Sequence, residues 1–267
     1  MSSGHRTPSE VPTRVDQIRS GDPYELSNGR AIYCAPTGQD GTGPNGLGFA
    51  VLDSDPAVKR AGVDTGVALS AKTLRAPDVA VNYEGGDGTW ATSIPLAVEY
   101  AGKGQDEGEL RTKITELLNA GTQQVWVVRL VGPRRVEVHR KGAPKHIANI
   151  DASLTAPGVL ALPVPVRALF ERDAAHETTL RNLLSAKGYA NLEAVREEGR
   201  KEGYKEGSEA ALQIALRANV QARGLTLDAA QDARVAACHD AATLLGWITR
   251  AVTATAAESI FADVDKT

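Results

Sequence analysis

Between Leu74 and Val138 four apolar runs and one amphipathic helix follow one another at short intervals, and that order constrains the fold more than any other stretch of the chain. Leu74–Asn82 alternates as a strand, with Val79 and Val81 on one side of the pleat and Pro77 near its start, where a missing N–H matters least. Ile94–Tyr100 is mostly apolar and reads as a strand buried on both faces. Gly108–Asn119 places Leu110, Ile114, Leu117 and Leu118 at helical spacing, and Gly121 is a stop signal. Gln124–Leu130 is a third strand, Gly132-Pro133 a turn, and Arg135–His139 a fourth strand. Strand–turn–strand–helix–strand–strand predicts an α/β domain with a mixed sheet.

The flanks are less regular. Met1 to about Asp22 is polar, lacks the apolar core of a secretion signal, and is expected to be a flexible leader over residues 1–21. In PYELSNGRAIYCAP, Asn28-Gly29 is a hairpin signal, because both turn positions tolerate positive φ. The glycine-rich Thr37–Gly48 is expected to be a loop; no GKS or GxGxxG pattern makes it a phosphate cradle. Phe49–Val58 suggests a short helix and Asp64–Ala68 a short strand. Lys141–Asn149 reads as basic and irregular, and Leu154–Val164 as an extended docking segment.

From Val166 the character changes to helices, at Val166–Lys187, Leu192–Ala222 and two or three more after Leu227. The chain therefore divides into residues 22–165, an α/β domain, and 166–267, an α-helical C-terminal extension. Gly199, Gly203 and Gly207 recur every fourth position in EEGRKEGYKEGS. Such a bare stripe suits either a solvated, weakly stable helix or close approach of another helix, so that a homo-oligomer is one expectation.

Composition narrows the function classes. A net charge of −3 makes any nucleic-acid contact local rather than global. Cys34 and Cys238 lie in no CxxC or Cys/His cluster, which argues against structural zinc and fits a reducing, cytoplasmic setting. No apolar run approaches the ~18 residues of a membrane span. His5, His139, His146, His176 and His239 show no metal-ligand spacing, and no GxSxG suggests a serine nucleophile.

The acidic residues are more informative. Asp78 opens one strand and Glu99 ends the next; if these pair antiparallel, both carboxylates reach one end of the sheet. The carbonyl of Tyr100 is a natural third ligand for a hard cation. Lys113 follows on the helix, with Glu109 four residues earlier on the same face. Carboxylates converging beside a lysine suit metal-assisted phosphodiester hydrolysis. The same spacings also suit a strand-entry aspartate and a surface Glu109–Lys113 pair. Arg134, Arg135, His139, Arg140, Lys141, Lys145 and His146 form a basic cluster that suits either DNA phosphates or solvent.

RAPDVAV, PLAVEY, KITELLNAG, VWVV and RRVEVHR, in this order and spacing, resemble the PD-(D/E)XK nuclease superfamily and within it the restriction endonuclease family often called Uma-type. PYELSNGRAI resembles that family's opening hairpin, and the resemblance covers about residues 22–145. It implies a restriction-endonuclease-like core with a mixed central sheet flanked by helices, and a metal-dependent endodeoxyribonuclease. Asp78 and Glu99 become ligands of Mg²⁺, or Mn²⁺ in its place; Glu25 becomes an accessory carboxylate, and Lys113 the cation at the attacking water. The superfamily's usual lysine position is occupied by Ala101, and Lys103 is the rival to Lys113. EYAGKGQ departs from the family's Ser/Pro-containing turn after its glutamate. The competing expectation is a nuclease scaffold that has lost activity and serves binding or assembly through its C-terminal helices.

Overall fold

In a computed structural model the chain is described over residues 11–36, 39–85 and 88–262. It forms two compact units, Met1–Ala190 and Asn191–Thr267.

The first unit is built on two sheets. β1 (Tyr24–Ser27) and β2 (Arg30–Tyr33) form the hairpin that Asn28-Gly29 predicts, with φ of +51° and +85° at the two turn residues. α1 spans Gln39–Asp53, and β3 (Ala61–Val63), β4 (Val67–Ser70), β5 (Thr73–Arg75) and β6 (Val79–Val81) follow. β7 (Leu96–Ala101) leads through α2 (Glu107–Asn119) to β8 (Gln124–Arg129), β9 (Arg135–His139) and β10 (His146–Asn149). The small sheet has the order β2-β1-β5-β4 and the large sheet β10-β9-β8-β7-β6-β3. β7 and β8 are parallel and the other pairs of the large sheet antiparallel, so the sheet is mixed, as expected. β11 (Ser153–Leu154) pairs with β12 (Val164–Pro165), and α3 (Arg172–Ala186) ends the unit's regular structure.

Strand alternation sorts the large sheet into two buried faces. Val79, Val81, Leu96, Val98, Trp126 and Val128 face α1, where Val51 and Leu52 meet them; Leu154, Val159 and Val164 join the same core. Ala80, Ala97, Ala101, Val125 and Val127 face α2, which contributes Leu110, Ile114 and Leu117. α2 begins where Asp106 caps it, its carboxylate accepting from the N–H of Gly108 at 2.8 Å and of Glu109 at 3.0 Å. Every residue of β7 is buried, because that strand is flanked on both edges and covered on both faces.

Five local expectations are corrected. The glycine-rich segment from Gln39 onward is helical, not a loop: Val51 and Leu52 are buried in the core and Leu47 packs against it, and that packing overrides poor glycine propensity. Thr37 and Gly38 lie outside the described residues. The single strand over Leu74–Asn82 is two strands in different sheets, because the chain crosses from β5 to β6 at Ala76-Pro77-Asp78. Asp64 lies between β3 and β4 in left-handed backbone, φ +50°, rather than opening a strand. Lys141–Asn149 is not wholly irregular, since β10 pairs in register with β9 and buries Ala148. The segment from Val11 to Asp22, which offers little to bury in sequence, nonetheless buries Val15 and Ile18 against Leu26 and Leu74.

The second unit consists of α4 (Leu192–Ala222), α5 (Ala229–Ala236) and α6 (Ala241–Thr253). Leu216, Val220, Val235, Leu244, Trp247 and Ile260 form its core. The core lies along the last part of α4, and a Cβ at Gly199, Gly203 or Gly207 would meet nothing within 4 Å. Among the described residues no helix is long and apolar enough to cross a membrane.

Candidate active site

Asp78 and Glu99 come together because β6 and β7 pair antiparallel, with Val79 opposite Val98. Each carboxylate is therefore one residue from the same rung. The Tyr100 peptide N–H donates to Asp78 Oδ2 at 2.5 Å, which fixes that carboxylate's orientation. Lys113 reaches in from α2: its Nζ is 2.8 Å from Glu99 Oε1 and 3.0 Å from Glu25 Oε1, and it donates to the Ala76 carbonyl at 2.7 Å. Lys113 thus pairs with Glu99 and Glu25, while Glu109 is turned to Arg75 and Arg30. The Glu109–Lys113 pair that helical spacing suggests is replaced by longer-range partners.

Glu25 spends both oxygens on the scaffold. Oε2 accepts from Arg75 Nη1 at 3.0 Å, and Oε1 accepts from the Ala76 N–H at 3.2 Å as well as facing Lys113. Arg75 is the residue that sequence reading passes over. It is fully buried and also donates to Glu109 at 3.0 Å and Glu116 at 2.5 Å, while Ser27 Oγ donates to Glu116 at 2.7 Å. One guanidinium thereby joins the hairpin, β5 and α2. The only sequence signal for it is a lone arginine between Leu74 and Ala76, where neighbours are apolar. Asp64 was also missed as a neighbour of the site. Its N–H donates to the Asp78 carbonyl at 3.4 Å, and burial pushes its carboxyl up against the opposing pull of Lys113.

Electrostatics follow from burial. Glu99 is pushed up to about 8, first by burial and then by Asp78 and Glu25, although Lys113 pulls the other way. Asp78 is also raised by burial, which outweighs the Tyr100 N–H and Lys113. Burial alone would release the Lys113 proton, but Glu99, Glu25 and Asp78 hold it, raising its pKa. Glu99 Oε1 is buried against Lys113 Nζ. Two carboxylates held above their usual range by burial suit an added hard cation. Among the described residues no group of three or more His, Cys, Asp or Glu side chains is placed to cage a metal.

These groups open onto a cleft of about 1020 Å³. Asp78, Glu99, Tyr100, Lys113, Glu25, Glu109 and Lys103 line it, Lys103 from the turn after β7. Of the basic cluster, Arg134 also lines it, held by Glu171 at 2.8 Å. Arg135 and Lys145 instead approach the buried Glu137, at 3.5 and 3.2 Å, and Arg140 donates to Gln124 at 3.4 Å. Lys141 is exposed after β9. Arg135, His139 and Lys145 thus gather on Glu137, while Arg134 stands at the cleft and Arg140 at Gln124.

A mixed sheet sandwiched by helices, with paired carboxylates and a lysine gathered at one end, places the first unit in the restriction-endonuclease-like fold class. A family model named Uma2, described as "Putative restriction endonuclease", matches residues 12–167, more than half of the chain, and the protein belongs to that family. The match ends before α3 begins. Among solved structures, a protein of Anabaena variabilis described as "a putative nuclease belonging to DUF820" is similar, with a TM-score of 0.52 and 17% identity over 60% of this chain and 96% of that one. At that identity the similarity is one of fold. No curated protein matches the chain.

Proposed function

We propose that the first unit is a divalent-metal-dependent endonuclease that hydrolyses phosphodiester bonds in DNA. The observation that carries this reading is the convergence of Asp78 and Glu99 on one rung of the β6–β7 pair, with Lys113 2.8 Å from Glu99 at the floor of an open cleft. Asp78 and Glu99 would hold Mg²⁺, or Mn²⁺ in its place, with the Tyr100 carbonyl, water and phosphate oxygens completing the set. A cation bound there supplies polarisation of the phosphoryl group and a lowered pKa for attacking water.

The chain's own groups do the rest. Lys113, kept protonated by its carboxylate partners, presents positive charge where negative charge builds on the phosphate. Glu25 and the Ala76 carbonyl hold Lys113 in place, and Arg75 holds Glu25. Lys103 and Arg134, both on the cleft walls, would contact flanking phosphates, Arg134 by exchanging its Glu171 partner for one. Arg135, Arg140, Lys141 and Lys145 would add at most peripheral contacts.

The test is a cleavage panel over plasmid, linear duplex and single-stranded DNA with Mg²⁺ or Mn²⁺, using Asp78→Ala and Lys113→Ala as controls. Cleavage by the native chain and not by the variants is expected. Cleavage that survives equally in both variants removes the site assignment, and no cleavage of any form removes the nuclease reading.

A second reading, binding or assembly through the helical unit, is favoured by α4 itself. Tyr204 is 81% exposed, Leu192 and Val195 are exposed along the same helix, and its glycines face open space. Sedimentation of the intact chain is expected to show a dimer or higher species under this reading; a monomer at all concentrations eliminates it.

A further inference from the structure

The walls of the cleft say more about the substrate than its floor does. A protein that follows duplex DNA neutralises several phosphates with a continuous basic track. Here the track is interrupted. Arg134 is engaged by Glu171, and Arg135 and Lys145 are drawn onto Glu137, away from the cleft. The cleft itself carries Glu25, Asp78, Glu99, Asp106 and Glu109 against Arg75, Lys103, Lys113 and Arg134. Arg75 and Lys113 are buried in ion pairs and Arg134 is paired with Glu171, so the described lining offers little unneutralised positive charge.

What the lips offer instead is flat apolar surface. Tyr33, the last residue of β2, lines the cleft and is 64% exposed. Its ring is braced edge-on by Tyr24, with centroids 6.0 Å apart, so holding it in place for a ligand costs little further ordering. Phe170 lines the cleft from the segment before α3, and the Arg134 guanidinium lies 5.9 Å from its ring centroid. Beside it, at the β8–β9 turn, Val131 is 57% exposed. An aromatic ring from the small sheet and a guanidinium-on-ring pair from elsewhere in the chain thus share the opening above Asp78 and Glu99. Aromatic faces and guanidinium planes are the surfaces on which unpaired bases stack, and paired bases inside a duplex do not present their faces.

We infer that the cleft takes a nucleic-acid strand whose bases are unpaired around the scissile phosphate, with bases stacked on Tyr33 and on the Arg134–Phe170 pair. This rests on the nuclease reading for its chemistry but names a substrate class that reading leaves open. Affinity comes mainly from stacking, so it depends only weakly on salt.

The experiment is fluorescence anisotropy of the full chain with three labelled probes of one length in EDTA and in Mg²⁺: a mixed-sequence single strand, its duplex, and a single strand abasic at its central positions. The single strand is expected to bind at least about tenfold more tightly than either other probe, as loss of one stacked base costs roughly 5- to 150-fold. Its log–log salt slope is expected to be shallower than about −2, the value for some three single-strand phosphates. Tyr33→Ala is expected to weaken single-strand binding by about the same one-base factor, and Tyr33→Phe to restore it; the exposure of Tyr33 leaves the fold intact in both. Equal or tighter binding of duplex, equal binding of the abasic strand, or no binding of any probe overturns the inference. The cleavage panel judges the nuclease reading separately. Cutting duplex as fast as single strand sinks this inference and leaves the nuclease, whereas selective single-strand binding without cutting does the reverse.

Discussion

Lys113 and Glu99 stand in charge contact at 2.8 Å, one from the middle of a helix and the other from a strand buried along its whole length. Neither is placed there by local spacing; the β7–α2–β8 crossover brings them together. Under the proposed function their roles separate. Lys113→Met is expected to lower cleavage by about 10²–10³-fold through loss of charge stabilisation, while still binding Mg²⁺. Single-turnover cleavage alongside a Mg²⁺ thermal titration checks this; a variant that cuts at the native rate would show Lys113 to be structural only.

Metal binding has a readout independent of turnover. At a hundredfold excess over Kd, a ligand of the folded state stabilises by about 2.7 kcal/mol, which is roughly 5–10 °C for a domain of this size. Mg²⁺ is expected to produce such a shift in the native chain and none in Asp78→Ala. Scanning calorimetry with and without EDTA measures it, and an equal shift in both proteins places the cation elsewhere.

Arg75 is expected to matter more for stability than any exposed ion pair. Arg75→Leu leaves Glu25 and Glu116 without their buried partner, at a cost of about 3–5 kcal/mol. Arg14→Ala breaks an exposed pair with Asp16 and costs less than about 1 kcal/mol. Urea denaturation of both variants provides the comparison, and similar midpoints would mean that the Arg75 network contributes no net stability.

Glu137 gives the fold an acid-sensitive point. Burial opposes its ionisation, but hydrogen bonds from Arg129 and Lys145 hold its pKa down, from 4.5 to about 2. A depressed carboxyl stabilises the folded state fully above its unfolded pKa, and that contribution is lost as pH falls from 4.5 towards 2. Discounted for solvent screening, the difference corresponds to about 1–3 kcal/mol. Glu137→Gln is expected to be less stable at pH 7 and to lose less stability across that acid window. Parallel pH–stability curves for the two proteins would contradict this.

Gly48 is the glycine of α1 whose hydrogen side chain the packing requires. A Cβ there would lie 1.8 Å from the Tyr100 hydroxyl, a buried group without a hydrogen-bond partner. Gly48→Ala is expected to destabilise by about 1–3 kcal/mol through overpacking, and adding Tyr100→Phe to recover part of the loss. Thermal melts of the single and double variants test the coupling; additive losses would place the strain elsewhere.

The elements that sequence showed best are those whose signal is local. Asn28-Gly29 fixes its own turn, Gln124–Arg129 and Arg135–His139 carry their apolar pattern, and α2 has Asp106 and Gly121 at its ends. Asp78, Glu99 and Lys113 were legible as a set because the order of blocks resembles a known family, not because spacing alone assembles them. What stayed hidden depends on distant partners. Arg75 is buried by three carboxylates that lie 34 to 50 residues away, and no window of sequence contains them. The helix over Gln39–Asp53 has the composition of a loop and is helical because of what packs on it. The basic cluster reads as one patch in sequence, but its partners depend on the strands: Arg135 and Lys145 meet on Glu137, while Arg134 lies at the cleft.

That helix has one further consequence. α1 supplies part of the cleft wall through Gly41, Pro44 and Asn45, yet its glycines and proline give it little intrinsic preference for its conformation. Its order is borrowed from the sheet beneath it, whereas α2 is capped and carries its own helical preference. Local opening costs least where such borrowed order can be withdrawn. The amides of α1 should therefore exchange with solvent deuterium well before those of α2, making this wall the breathing side of an otherwise rigid site.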